Sequence, residues 1–256
     1  MKNLVISVTP DSSLELLAEY TDVIILDKGL INNTHEFYDM VYIRSHFGQQ
    51  STLPQNFRNE IDRIVRQVKD RNPNVKFIDN MDNVDAIVDF EDKWHQYKIF
   101  SEFIPTTRLC DEAFHSTDFV RPVYKHRLSS RGSGVTWDRI KVIEPLTDWI
   151  MQESIDIQEE LRVYIILGQV YPIGAVKRSM TEGNKAEGVN ARTLTNDEVT
   201  FSLNLIKKAP DLDIVGIDIA RAADGKLSLM EVNRSPGFAK FYELTGFNLA
   251  DKLYKF

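Results

Sequence analysis

The stretch from Ile214 to Gly237 restricts this chain more than any other. Asp224-Gly225 stands between two apolar runs, Ile214 to Ala220 and Leu229 to Val232, and an Asp-Gly pair in that setting is a strong hairpin signal. A two-residue turn there fixes the cross-strand register. It sets Asp218 opposite Glu231, with Asn233 two residues further along the same face. Facing carboxylates repel one another, and acids in apolar strands are rarely buried without a partner. A cation between them resolves both difficulties. Two carboxylates and one amide carbonyl form an all-oxygen set that suits magnesium, which keeps its other positions for water and phosphate. Asp218, Glu231 and Asn233 are therefore the expected metal ligands, and the expected occupant is a magnesium-nucleotide.

Composition narrows the remaining classes. The chain has 256 residues with 43% hydrophobic, enough for a sizeable core and too many for a disordered segment. Its 31 basic and 38 acidic residues give a formal charge of −7, so no electrostatic footprint for nucleic acid or an anionic membrane is present. Cys110 is the only cysteine, and the five histidines show no ligand spacing with it, which argues against disulfides and zinc. The longest uncharged stretch, Val163 to Val176, falls well short of the ~20 residues a membrane helix needs. The apolar run Leu4 to Val8 is too short for a signal-peptide core. A cytoplasmic protein without membrane or nucleic-acid partners is the expectation.

The first eighty residues alternate β-branched runs with helical patterns. Strands are expected at Leu4 to Val8, Val23 to Leu26, Met40 to Arg44 and Val75 to Ile78, with Ser12 and Glu15 forming a capping box between the first two. Phe57, Ile61, Ile64, Val65 and Val68 make one helical stripe. This pattern suggests a small parallel sheet. Thr9-Pro10-Asp11-Ser12 replaces the glycine-rich turn of a dinucleotide site. Beyond residue 88 the expectation changes to α+β: a helix over Glu91 to Phe103, then strands at Val120 to Lys125, Gly134 to Trp137, Lys141 to Ile143 and Trp149 to Ser154. Gly168-Gln169 reads as a two-residue turn, which sets Glu160 opposite Lys177. A polar stretch over Met180 to Arg192 precedes a helix capped by Thr195 and Glu198.

Met230-Glu231-Val232-Asn233-Arg234-Ser235-Pro236-Gly237 resembles the closing Glu-x-Asn motif and Ser-Pro-Gly turn of ATP-grasp enzymes, and the subgroup it resembles is the RimK type. Upstream, in matching order and spacing, Asp92-Lys93 with Pro105-Thr106 resembles that family's Asp-Lys start. Lys125 with Ser129 to Val135 resembles its second lysine and glycine-rich lid, and Met151 to Ile155 its adenine hinge. These motifs cover about residues 89 to 245, and the first eighty residues match the family's preceding domain only in general shape. The resemblance implies an α/β N-terminal domain over 1–88 followed by an α+β ATP-grasp fold over 89–256, with a lid subdomain at about 106–150 and a C-terminal subdomain at about 151–256.

The resemblance also implies ATP and Mg2+ as cofactors and the activity of a carboxylate–amine ligase. ATP phosphorylates a carboxylate, an amine attacks the acyl phosphate, and ADP and phosphate leave as the amide forms. By position, Lys93, Lys125 and Ser133 would meet the phosphates, Glu153, Ser154 and Ile155 the adenine, and Asp156 or Glu160 the ribose. Lysines supply point charges for phosphate oxygens, and the loop Ser129 to Gly134 supplies hydroxyls and unhindered amides. Arg178, matching the family's strand-ending arginine, would hold the acyl phosphate. Arg162, Lys185, Asn190 and Arg192 are the substrate-side candidates, although Gly188 stands where the RimK pattern has an arginine. Arg44, Ser45 and His46 are the only N-terminal candidates for the acceptor site. The implied partners are carboxylate and amine substrates, with peptide or protein ends among them; a homo-oligomer is left open. The residues alone also fit a phosphotransferase, which needs the same cations, or a non-catalytic nucleotide-binding subunit.

Overall fold

A computed structural model describes residues 2–28, 36–44, 53–110, 119–129, 134–142, 145–179 and 184–254; for 140, 178, 179 and 184–189 the description is of the backbone alone. The first unit is a parallel sheet. Strands β1 (Asn3–Ser7), β2 (Asp22–Ile25), β3 (Met40–Arg44) and β4 (Lys76–Phe77) pair in the order β2-β1-β3-β4. β1 is buried along its whole length, as a central parallel strand covered on both faces should be. Helix α2 (Gln55–Arg71) packs its stripe Ile61, Ile64, Val65 and Val68 against this sheet.

The capping box at Ser12 and Glu15 does not form. Ser12, ahead of helix α1 (Ser13–Ala18), is already helical in backbone and makes no side-chain cap, and the Asp11 carboxylate accepts the Ser13 N–H at 2.8 Å instead. Such short-range turns by Asp compete with helix caps. The Ser13 hydroxyl instead accepts from the Phe238 and Ala239 N–H groups, at 2.8 and 3.2 Å. The helix expected over Glu91 to Phe103 is α4 (Lys93–Phe100), and an unforeseen helix, α3 (Val84–Glu91), precedes it. They break at Asp92, which leaves the helical region and caps α4 through a 2.8 Å bond from the Trp94 N–H.

The second sheet, in the order β5-β8-β6-β7, is antiparallel: β5 (Thr107–Leu109), β6 (Pro122–His126), β7 (Val135–Thr136) and β8 (Trp149–Glu153). Tyr124, Trp149, Met151 and Cys110 fill its small core. The strand expected at Lys141 to Ile143 is absent where the chain is described; Arg139–Lys141 is a 3-10 turn closed by the Val142 N–H to Arg139 carbonyl bond.

The third sheet is larger and antiparallel, built from β9 (Ile157–Ile166), β10 (Gln169–Val170), β11 (Ile173–Ser179), β12 (Asn184–Thr193), β13 (Ile214–Ala222) and β14 (Leu227–Asn233). Its order is β12-β11-β9-β13-β14, with β10 continuing beside β9. The first hairpin turns at Leu167-Gly168, one residue earlier than expected, with both residues at positive φ. The return strand is interrupted at Pro172, which lacks an N–H for the ladder. It resumes with Ala175 opposite Arg162 and Val176 opposite Leu161, then bulges at Lys177 so that Arg178, not Lys177, opposes Glu160. The second hairpin closes through a three-residue loop, Ala223 to Gly225, with Gly225 at φ +84. A bulge at Met230 then absorbs the extra residue, and Asp218 faces Glu231 as expected. Helix α5 (Asn196–Ile206) carries the full Thr195/Glu198 capping box.

Two short helices, α6 (Ala239–Thr245) and α7 (Ala250–Tyr254), lie in a shared core with Val5, Leu17, Tyr42, Tyr164 and Ile214, so this core joins the parallel sheet to the large one. Polar contacts reinforce the joint. Arg234 Nε bonds Asp79 at 3.0 Å, its Nη1 bonds the Ile43 carbonyl at 2.7 Å, and the Tyr42 hydroxyl donates to the Arg234 carbonyl at 2.7 Å. Asp79, held at φ +60, also accepts the Asp213 and Ile214 N–H groups. Among the described residues no helix is long and apolar enough to cross a membrane.

Candidate active site

Helix α4 is stitched along the edge of the large sheet. Gln96 bonds both backbone groups of Val232, donating to its carbonyl at 2.8 Å and accepting its N–H at 3.1 Å, and the Leu229 N–H reaches the Phe103 carbonyl. These bonds cover the edge of β14 and set its residues against the first turn of α4. Lys93 Nζ consequently lies 3.9 Å from Glu231 and donates to the Ser129 carbonyl at the start of the lid loop. The lid side is fixed by Asp92. Its carboxylate, besides capping α4, takes Arg127 Nε at 3.0 Å and Arg127 Nη2, while the Lys93 N–H donates to the Arg127 carbonyl. Burial alone would raise the Asp92 carboxyl, but Arg127 holds it below the usual range.

Lys125, on β6, reaches the same cleft from the lid sheet. Its Nζ donates to Gln152 Oε1 at 2.7 Å, and Gln152 in turn donates to the Thr107 hydroxyl. Burial, and then the charge of Lys93, pulls the Lys125 ammonium down to about 8. Lys93, Gln96, Ile104, Lys125, Ile150, Gln152 and Met230 line the cleft. Met230 is the bulged residue of β14, so the irregularity that restores the Asp218–Glu231 register also supplies a wall. Gln96, Arg127 and Gln152 were not foreseen. Gln152 was legible in principle, as the polar residue in Trp149-Ile150-Met151-Gln152.

At the hinge between lid and large sheet, the Glu153 and Ser154 N–H groups are bonded to the Thr106 and Arg121 carbonyls. That leaves Ile155 as the expected hinge residue whose N–H is uncommitted among the described residues. Across the large sheet, Asp218 is 2% exposed and accepts Arg162 Nε at 2.7 Å, Arg162 Nη2 at 2.8 Å and Lys177 Nζ at 3.0 Å. Lys177 also lies 3.3 Å from Glu160. Burial would raise Asp218, yet Arg162 and Lys177 hold it below the carboxylate range, and the same pairing raises Arg162 and Lys177 against the cost of their burial. Arg162 is thus the salt-bridge partner of a metal candidate rather than an open substrate contact.

The remaining candidates divide. Arg178 lies by backbone register opposite both Glu160 and Lys185. Ser133, Ser45 and His46 lie outside the described residues. Arg44 is wholly buried, pairing with Asp11 at 3.3 Å and the Pro236 carbonyl. Asn190 is exposed, and its side chain accepts the Ala191 N–H. Arg192 directs its five N–H donors to Glu159, Glu198 and the Thr193 carbonyl. It anchors the start of α5 and has no donor left for a substrate. A second groove, beyond the start of β13, is lined by lysines and aspartates that pair with one another, Lys69 with Asp82 and Lys76 with Asp213.

A model of the RimK-like ATP-grasp domain matches residues 125–256, just over half of the sequence. The chain belongs to the RimK-like ATP-grasp family. Among curated proteins it is 35% identical over 103 residues to a probable alpha-L-glutamate ligase 2 of Shewanella denitrificans and 33% identical to a probable alpha-L-glutamate ligase of Shewanella loihica. Each match covers 38% of this chain and 33% of the relative, so the chain spans about a third of the curated relatives it matches. Among solved structures, the ATP-grasp ligase PsnB complexed with a minimal precursor superposes with a TM-score of 0.68 at 16% identity, covering 98% of this chain and 96% of that one. The macrocyclase MdnB from Microcystis aeruginosa gives 0.64 at 16% identity, covering 98% of each. These likenesses extend over the parallel sheet as well, and the fold throughout is that of ATP-grasp ligases.

Proposed function

We propose that this chain is an ATP-dependent carboxylate–amine ligase acting on a peptide-like substrate. The observation that carries the reading is the meeting of charges beside the cleft: Glu231, opposed to Asp218, lies 3.9 Å from Lys93, and Lys93 and Lys125 both line the cleft next to Met230. Acid ligands and phosphate cations thus meet at one place, as binding a magnesium-nucleotide requires. The donor set suits magnesium. Asn233 has a buried amide nitrogen with no hydrogen-bond partner among the described residues, so exchanging its amide oxygen and nitrogen would break no bond made by that nitrogen, and Glu231 keeps 30% of its side chain open. Asp218 would have to exchange one of its cations for the metal. Magnesium, when bound by Asp218, Glu231 and Asn233, would screen the phosphate charge and orient the terminal phosphoryl group.

The chain's own residues supply the rest. Lys93 and Lys125 bind phosphate oxygens, and Asp92 and Arg127 keep Lys93 pointed at the lid loop. Ile155 offers its N–H to the adenine edge. Arg178, on the strand beside Glu160, is assigned to the acyl phosphate, where a fixed cation stabilises charge that develops only during reaction. The peptide-like substrate is supported by two similar solved structures that are described as bound to precursor peptides, PsnB with PsnA2 and MdnC with MdnA. Hydroxylamine trapping tests the reaction class. With ATP, magnesium and the correct carboxylate, the chain should release ADP and give a hydroxamate in the absence of amine. A stable phosphorylated product, with neither hydroxamate nor amide, would identify a phosphotransferase instead.

A further inference from the structure

Lys177 is the extra residue of the bulge between β9 and β11: Val176 pairs with Leu161 and Arg178 with Glu160, leaving Lys177 between them. Bulges re-aim side chains, and this one delivers an ammonium 3.0 Å from Asp218 and 3.3 Å from Glu160. Asp218 does not need it for neutrality. The Arg162 guanidinium already engages both Asp218 oxygens, at 2.7 and 2.8 Å, which is the strong bidentate pairing that satisfies a carboxylate by itself. Lys177 is therefore a second cation on an acid that has one, and it shares the Oδ2 atom with Arg162 Nη2.

We propose that Lys177 is the resident counter-ion of the metal site, occupying the Asp218 Oδ2 position until a divalent cation displaces it. The proposal rests on the reading of Asp218, Glu231 and Asn233 as metal ligands. Without a metal, Arg162 already offsets the charge that Asp218 sets against Glu231, and Lys177 adds a further positive charge at the Oδ2 atom. Displacement has a destination, since the ammonium keeps Glu160 as a partner and 21% of the lysine side chain reaches solvent. A metal arriving alone must compete with a covalently tethered cation at close range. A metal arriving on nucleotide phosphates brings with it the anionic charge that favours the exchange. The chain would accordingly load the nucleotide and its metal together and bind the bare metal weakly.

Mn2+ alone, added to the full chain without nucleotide and followed by the EPR signal of the free ion, tests this. Lys177→Met should raise Mn2+ affinity on the order of tenfold or more, since one unit of positive charge is removed within a few ångströms of the site. Lys177→Arg, which keeps the charge, should stay within about twofold of wild type. Lys177→Gln should behave as the methionine variant does and serves if that variant folds poorly. A lysine that merely tied the strands together would, on removal, leave the affinity unchanged or lower, and either result overturns the proposal. Asp218→Asn separates the two levels: it should abolish Mn2+ binding in wild-type and Lys177→Met backgrounds alike. Retention in both would show that the metal reading itself is wrong, and the counter-ion role would fall with it.

Discussion

Burial and the neighbouring Lys93 ammonium bring Lys125 down to about 8, so the phosphate binding proposed for this lysine would depend on pH close to neutrality. Below that value the side chain is charged and attracts phosphate; above it the neutral amine becomes the major form. Affinity for a non-hydrolysable ATP analogue should therefore be greatest below pH 8 and decline as pH rises to 9, by up to about tenfold per unit if this one group dominates. Calorimetric titration across that range checks the expectation, and a flat profile would refute it. Lys125→Met should abolish the pH dependence and weaken binding at pH 7, by roughly tenfold or more for loss of a charge-assisted contact. Lys125→Arg should bind more tightly than the methionine variant and also lack the step near 8, because guanidinium stays charged. Gln152 would remain in each variant as the acceptor facing the changed side chain.

At the scale of elements, the two glycines of the second hairpin should separate stability from function. Gly225 lies in the three-residue loop at φ +84 with open space where a Cβ would stand, so Gly225→Ala should cost only backbone strain, about 1–2 kcal/mol, visible in denaturant unfolding with ATP turnover retained. Gly216 pairs with Asn233, and a Cβ there would meet Pro236 at 2.8 Å. Gly216→Ala must push the turn that follows the acidic strand, and turnover should fall by a larger factor than the Gly225 variant shows at equal stability. Equal turnover in the two variants would show that Pro236 has room to yield. The same hairpin shows what the residues alone could reveal. The Asp218–Glu231 pairing was legible although the turn was misjudged, because the added loop residue and the Met230 bulge cancel. In the other hairpin nothing compensates at Lys177, and the expected Glu160–Lys177 register gives way to Glu160–Arg178 while the ion pair persists at 3.3 Å. Bulges and backbone-to-side-chain bonds such as Gln96 to Val232 depend on which elements meet, and no local pattern encodes them. Glu231 was legible because the hairpin register sets it opposite Asp218, whereas Lys93 and Lys125 were legible only through the motifs that resemble the family.

For the whole molecule, the decisive contact is the buried pair of Asp79 and Arg234, both with fully covered side chains. Removing one member of such a pair strands the other charge, at a cost of about 3–5 kcal/mol. Arg234→Met should therefore lower the unfolding free energy by an amount in that range, whereas Tyr42→Phe, which loses one hydrogen bond to the Arg234 carbonyl, should lower it by about 1 kcal/mol. Chemical denaturation followed by tryptophan fluorescence would compare them, and similar losses would mean that the pair is not the principal fastening. Arg234 directly follows Asn233, so the fastening and the acidic strand are consecutive in the chain. Tyr42 and Asp79 come from the parallel sheet and its final turn, while Asp213 and Ile214 come from the start of β13. A breeder of chimaeras who exchanged the first eighty-eight residues for those of a relative would thus be changing the footing of the acidic strand, not fitting a new front to a finished engine. Recombination among RimK-like ATP-grasp chains should succeed only where donor and recipient agree on this handful of joint residues.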